Sequence, residues 1–254
     1  MYRGFYNLTS GILTQQRVLN TISNNIANVT TPGYKRDITT NSTFRDILIS
    51  RTGNIDKSSP ASLEGTQSMI RTVTELVTVY TQGPIEMTGR VFDFAVEGRG
   101  FYQIETESGE LQYTRNGSFT LDDEGYLFLP RAGRVMGEDG PIWLGTDKFT
   151  VDRLGEIFLY DTGAYAGRIM LFDFEDYADV TNYAEGMYTS EADPIPDPEG
   201  SRLIWRALEG SNVDAVEEMI GMITAQRSLQ SAAQILQMYD QLLSKSVNDI
   251  GRVM

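Results

Sequence analysis

The sequence predicts an α+β protein whose N- and C-terminal helices pack together as a coiled-coil domain around a central β-rich domain of antiparallel meander or barrel-like form. Three observations predict it. Apolar residues near both ends recur in alternating steps of three and four, as a helical seam requires. The middle switches to period-two alternation. Gly, Asn and Pro punctuate that middle at short intervals. The expected organisation is residues 1–30 plus 211–254 as the helical assembly domain, 31–80 as an extended connector and 81–210 as the β-rich domain.

In the first helix Phe5, Leu8, Ile12, Gln15, Leu19, Ile22, Ile26 and Val29 take the heptad steps, with Gln15 the polar exception. Asn24, Asn25 and Asn28 favour caps and turns, and Pro32-Gly33 cannot continue a helix, so the helix stops near Asn28. Residues 38–68 are rich in Ser and Thr, which reads as an extended connector whose Ile47-Leu48-Ile49 run docks on a neighbour. The run from Ile70 to Tyr80 fits a short strand or a helix equally well.

The middle reads as a meander. Val91 to Val96 and Phe101 to Ile104 flank the turn Gly98-Arg99-Gly100, which lacks the third glycine of a dinucleotide loop. Leu111 to Arg115 and Ser118 to Leu121 flank Asn116-Gly117, a type I′ hairpin signal. Asp122-Asp123-Glu124-Gly125 turns the chain into Tyr126-Leu127-Phe128-Leu129. Leu111 and Tyr113, Phe119 and Leu121, and Tyr126 and Phe128 are each expected to face one side of the sheet. Further strands are expected at Phe149 to Val151, Glu156 to Tyr160 and Arg168 to Phe172. A Pro-rich loop follows at 193–200, and Arg202 to Leu208 leads back to the last helix.

That helix starts where Ser211 or Asn212 can cap its free amides and where Asp214, Glu217 and Glu218 face the positive end of the dipole. Its seam is read as Met219, Met222, Gln226, Leu229, Ala233, Leu236, Asp240, Leu243, Val247 and Ile250, a run of about forty residues and roughly 60 Å. Ser, Gln and Ala are frequent and the apolar stripe is narrow, so its stability must come from neighbours. The methionines suit packing in nonequivalent environments. Two helices so short of apolar area gain most by packing against copies of themselves, in a heterologous assembly that grows.

Composition removes several function classes. At 254 residues and 41% hydrophobic the chain can bury a sizeable core. It has no cysteine and no histidine, so disulfides, thiolate metal sites and the commonest general base are absent. No cofactor and no metal are expected. The first thirty residues hold no long apolar run, which predicts neither a cleaved secretory signal nor membrane insertion. Net charge is −14, yet residues 1–36 carry four bases (Arg3, Arg17, Lys35, Arg36) and no acid. The acidic load lies in the middle, which argues against nucleic acid.

The segment Leu19-Asn20-Thr21-Ile22-Ser23-Asn24-Asn25-Ile26-Ala27-Asn28-Val29-Thr30-Thr31-Pro32-Gly33-Tyr34-Lys35 resembles the N-terminal signature of flagellar rod and hook proteins. Ser211-Asn212-Val213-Asp214 with Gln226-Arg227 resembles that family's C-terminal helix. The stretches 94–101 and 113–119 resemble its central strand motif and the hairpin after it. The length fits a basal-body rod protein better than a hook subunit, with hook or hook-junction subunit as the alternative.

The resemblance implies a bacterial axial protein, exported through the flagellar type III apparatus and polymerised with copies of itself and other rod and hook proteins. Its terminal helices would form the inner tube of the cell-envelope rod, between motor and hook. The implied assembly interface comprises Leu8, Ile12, Leu19, Ile22, Asn24, Asn25, Ile26, Asn28, Pro32, Gly33 and Tyr34 on the first side. On the second it comprises Ser211, Asn212, Val213, Met219, Met222, Gln226, Arg227, Leu229, Leu236 and Leu243.

Each motif has a plainer reading. The asparagines cap a helix, Pro32-Gly33 is a turn under either reading, and Gln226 and Arg227 are surface groups. The readings of another class are a cell-wall hydrolase using paired carboxylates such as Asp122, Asp123 and Glu124, and a carbohydrate-binding β module. The carboxylate cluster sits where a turn is expected, and its spacing lacks an EF-hand's ligand pattern.

Overall fold

A computed structural model describes residues 2–43, 47–50, 63–67, 71–160, 163–184, 186–196 and 200–251. It is α+β: a helix at each end and antiparallel β structure between. The chain divides into two compact units. One contains residues 1–26, 37–77 and 215–254; the other contains 27–36 and 78–214.

In the first unit, helix α1 spans Tyr2–Ala27 and helix α2 spans Ala215–Gly251, 37 residues and about 55 Å long. Asn25 donates to the Glu218 carboxylate at 3.0 Å. A Cβ on Gly221 would meet Ile22 Cδ1 at 3.3 Å. Along α1 these contacts ascend while along α2 they descend, so the helices run antiparallel where they touch. The positions buried along α2 are Glu218 and Ala225, with Gly221, Met222, Leu229, Ala232 and Leu236 half-buried. Of the positions read as the seam, Met222, Leu229 and Leu236 are half-buried, whereas Met219 and Gln226 are exposed while Glu218 and Ala225 beside them are buried. Small side chains at Gly221 and Ala225 let the helices approach closely there.

Between the helices the described residues of the segment read as an extended connector include strands that pair with one another. Asp37–Thr43 and Arg71–Thr78 form one two-stranded sheet, and Ile47–Ser50 pairs antiparallel with Leu63–Gln67 in another. The ambiguous stretch near Ile70 is therefore strand. How the side chains of Ile47, Leu48 and Ile49 dock lies outside the described residues.

The second unit holds the main core. Its largest sheet runs in the antiparallel order Val180–Ala184, Met187–Ser190, Leu111–Thr114, Phe101–Glu105, Gly133–Gly137, Leu127–Leu129 and Thr120–Leu121. Phe101–Glu105 is buried on both faces. Tyr102 and Ile104 join a cluster with Phe94, Phe119, Leu127 and Val135, while Phe101 joins Tyr113, Phe174 and Tyr188 on the other side. Each such side chain removed from water contributes about 1.5–3 kcal/mol. Phe149–Val151, Glu156–Leu159 and Tyr165–Arg168 form a three-stranded meander.

Several local expectations change. Asn116-Gly117 is not a type I′ hairpin, since neither residue has the positive φ that turn requires. Gly117 instead lies against the strand Phe94–Glu97, where a Cβ would stand 1.8 Å from the Phe94 carbonyl oxygen. Tyr126 and Phe128 share one side as expected, and it is the side opposite the core, into which Leu127 and Leu129 point. The Arg134 guanidinium covers the Tyr126 ring at 4.2 Å, which makes the outer face tolerable for an aromatic. Leu111 is exposed beside buried Tyr113. The strand expected over Arg168 to Phe172 resolves into the end of Tyr165–Arg168 and a separate Leu171–Asp173, which pairs with Ile195–Pro196 from the Pro-rich loop. Residues 197–199 of that loop lie outside the described residues. Among the described residues no helix is long and apolar enough to cross a membrane.

The aromatic cluster makes this unit sensitive to alkali. Burial, and then the 2.6 Å hydrogen bond that Tyr177 donates to Asp173, push the Tyr177 phenol from 10.0 up to about 12. Burial raises Tyr102 and Tyr113 in the same direction. A phenol that ionises later in the folded than in the unfolded chain contributes stability below 10 that is lost as pH rises towards 12. Denaturant midpoints should therefore fall between pH 10 and 12, in step with tyrosinate absorbance, and Tyr177→Phe should flatten that fall.

Candidate functional site

The expected interface residues separate into two groups, one in each unit. In the helical unit Leu8, Ile12, Leu19, Ile22 and Ile26 are half-buried along α1, and Met222, Leu229 and Leu236 along α2. Asn24, Met219, Gln226, Arg227 and Leu243 are exposed. Asn25 is buried and does more than cap: its amide nitrogen donates to the Asp37 carbonyl at 2.9 Å, and its oxygen accepts from the Asp37 amide at 3.1 Å. With Glu218 as third partner, Asn25 ties the end of α1 to the next strand and to α2. Glu218 was not expected, although its place at the acidic start of α2 was.

In the β unit the stretch around Asn28, Pro32, Gly33 and Tyr34 meets the stretch around Ser211, Asn212 and Val213 through two hydrogen bonds, Gly33 amide to Glu209 carbonyl and Arg36 amide to the Asn212 side chain. Asn28 accepts from Thr31 through both its backbone and its side-chain oxygen, which closes the turn after α1. Gly33 has φ +70, and a Cβ there would stand 2.3 Å from the Arg115 carbonyl carbon, so both conformation and space require glycine. The Asn212 side chain does not cap α2, because it is engaged elsewhere. Its oxygen accepts from the Arg36 amide at 2.7 Å, and its nitrogen donates to the carbonyls of Val79 and Thr81. Ser211 Oγ accepts from the Val213 amide instead.

The centre of this junction is Glu209, fully buried at the end of strand Ala207–Glu209. One carboxylate oxygen accepts from Lys35 Nζ at 2.6 Å and from the Gly83 amide at 2.9 Å; the other accepts from Arg115 Nη1 at 3.2 Å. Its backbone carbonyl accepts from the Gly33 amide at 2.8 Å. Lys35 also donates to the Thr81 carbonyl, and Arg115 to the Gly98 carbonyl and over the Phe101 ring. Burial pulls the Lys35 ammonium below its ordinary 10.5, and the Glu209 charge opposes that shift. Lys35, Arg115 and Glu209 were missing from the expected interface. The available signal was the alternation Ala207-Leu208-Glu209, which places the acid on the same face as a buried alanine.

The carboxylates of the hydrolase reading are otherwise employed. Desolvation would raise the Asp122 carboxyl, but hydrogen bonds from the Tyr126 amide, Arg134 and the Glu124 amide outweigh it and hold the group below its usual range. That is the wrong direction for a general acid. Glu124 is paired with the same Arg134 at 2.6 Å. Among the described residues no group of three or more acids could hold a metal.

A helix near each end of the chain, one of them with an exposed apolar stripe, and antiparallel β structure between them in sequence define the class. Sequence comparison gives the class its name. The family described as "Flagella basal body rod protein" matches residues 5–35, "Flagellar hook protein FlgE/F/G D1 domain" matches 95–159, and "Flagellar basal body rod FlgEFG protein C-terminal" matches 206–250. The basal-body rod protein FlgF of Caulobacter vibrioides is 30% identical over 95% of each chain. FlgG of Bacillus subtilis is 30% identical over 98% of this chain and 99% of its own. The hook-basal body complex protein FlhO of the same species is 28% identical over the whole of both. The chain belongs to the flagellar basal-body rod protein family.

Glu209→Ala would leave Lys35 and Arg115 buried without a counter-charge and should cost roughly 3–5 kcal/mol in the unfolding of the β unit, measured by urea titration. A loss under about 1 kcal/mol would remove Glu209 from the centre of this account.

Proposed function

We infer that this chain is a structural subunit of the bacterial flagellar rod, residing in the basal body. The family describes structural rod proteins, so the role is one of assembly and not of catalysis. In the finer reading the subunit polymerises through its terminal helices, wound as coiled coils, into the hollow axial rod that links motor to hook. Its partners are copies of itself and other rod and hook proteins, after passage through the flagellar type III export apparatus. Residues 1–30 plus 211–254 act as the assembly domain, 31–80 as connector and 81–210 as the outer β domain.

One observation carries this reading. The antiparallel helix contact uses small residues, so Val216, Met219, Ile220, Ile223, Met238 and Leu242 of α2 stay exposed. A monomer gains nothing from such a stripe, whereas neighbouring helices gain about 25 cal/mol for each Å² they cover. The interface is therefore assigned to both faces of the helices. Leu8, Ile12, Leu19, Ile22, Met222, Leu229 and Leu236 set the pair, and Met219, Gln226, Arg227 and Leu243 meet neighbours. The residues from Asn28 to Tyr34 and from Ser211 to Val213 belong to the β unit and adjoin the two helices in sequence. The D1-domain match also names the hook protein, which keeps a hook-junction subunit as the second reading.

Removing residues 1–26 or 215–254 should abolish polymerisation, followed by sedimentation and electron microscopy, while the β unit keeps its cooperative unfolding. Polymers from either truncated chain would contradict assembly through the helices.

A further inference from the structure

The turn Leu129-Pro130-Arg131-Ala132 is closed by the Ala132 amide, which donates to the Leu129 carbonyl at 3.0 Å. Proline in its second position and a φ of 70 at Arg131 in its third are the pattern of a type II turn, whose third position suits glycine or asparagine. Among the described residues Arg131 and Arg206 are the non-glycine residues with positive φ. At Arg206 the side chain offsets the strain within the unit, since its guanidinium covers the Trp205 ring at 4.2 Å. Arg131 is exposed and borders two adjoining clefts. An arginine is thus retained where the backbone prefers glycine, and strain of this kind collects at binding sites.

Both clefts lie within the β unit and share Arg131, Ala132 and Met187 as a common wall. One, of about 420 Å³, has no acid among its described lining residues, in a chain of net charge −14. Asn28, Thr31, Asn116 and Ser118 line it with Arg131. The Asn116 side-chain oxygen accepts from the Ser118 amide at 3.0 Å and from the Ser118 hydroxyl at 2.8 Å. Its orientation is thereby fixed, and the amide nitrogen is left with no partner among the described residues. The other cleft differs in character. Exposed Tyr183 and half-buried Phe128 share its lining with Ser108, Glu110 and Gln112.

A guanidinium and a preorganised amide donor with no carboxylate beside them select an anion, and a carboxylate engages both through its two oxygens. Aromatic faces set among hydroxyl, amide and carboxylate groups suit a sugar ring, whose C–H face packs on the aromatic while its hydroxyls find donors and acceptors. We propose that the joined clefts bind an acidic oligosaccharide, with a uronate carboxylate on Arg131 and Asn116 and the neighbouring sugar ring against Tyr183. This is a binding function of the β unit, additional to assembly and separate from the exposed stripe of α2.

The test titrates the full-length chain, below the concentration at which it assembles, with trigalacturonate and with a glucuronate trisaccharide, followed by calorimetry and by the Asn116 side-chain amide resonance. Saturable binding that shifts this resonance is expected. Affinity should be at least about tenfold lower for neutral galactotriose, for Arg131→Gly and for Tyr183→Ala, since each removes a charge-assisted bond or the ring platform. Arg131→Gly is the discriminating variant, because glycine relieves the positive φ: its melting temperature should hold or rise while binding is lost. Binding retained in Arg131→Gly, or a marked fall in its melting temperature, would make the arginine a structural residue and overturn the site. Equal affinity for galactotriose, for galacturonate monomer or for tetraglutamate would overturn the acidic oligosaccharide in favour of a neutral sugar, a lone anion or an acidic peptide respectively. No binding of either uronate trisaccharide would overturn the proposal outright.

Discussion

The buried carboxylate of Glu209 is the constraint on which the arrangement of residues 33–36 and 209–213 within the β unit depends. It receives an ammonium from the segment that follows α1, a guanidinium from the core sheet and an amide from the loop at Gly83, while its own strand leads to α2. A carboxylate taken out of water is tolerable only when its lone pairs are so occupied, and once they are, each partner is held by the others. The ion group is weak evidence for net stability, because apolar side chains could fill the same space at less desolvation. What it provides is position: residues 33–36 and 209–213 have one mutual arrangement, fixed again by Asn212.

Geometry at that junction explains why the signature segment carries the residue types it does. Pro32-Gly33 is a turn, as its composition indicates, but glycine is required by the approach of the Arg115 backbone as much as by the positive φ. The asparagines divide the labour. Asn28 closes the turn, and Asn25 imitates a backbone bridge to Asp37 while meeting Glu218, so the end of α1 is held within its own unit.

Fold class and element order were legible because they rest on periodicity and turn chemistry, which are local. The ends of both helices fell within a few residues of expectation, and Phe149–Val151 was placed to the residue. Phase was less legible. A helical stripe of mixed small and large residues can be read in two phases one residue apart, and only the close approach at Gly221 selects the one centred on Glu218 and Ala225. The inward choice of Leu127 and Leu129 over Tyr126 and Phe128 has a similar origin, since both pairs are apolar and Arg134 decides between them. Asn116-Gly117 misled because long-range packing on Phe94 overrode a local turn preference. Buried Lys35, Arg115 and Glu209 escaped notice because charged residues are by default surface residues, and their pairing spans most of the chain.

Glu209 fixes residues 33–36 and 209–213 relative to each other within the β unit, and amide hydrogen exchange in the full-length chain tests this most directly. In Glu209→Gln the amides of Gly33, Arg36, Val79 and Gly83 should lose protection together, while Ile104 and Val135 in the core sheet keep theirs. Unchanged protection at Gly33 and Arg36 in that variant would show that this stretch is held by something other than Glu209.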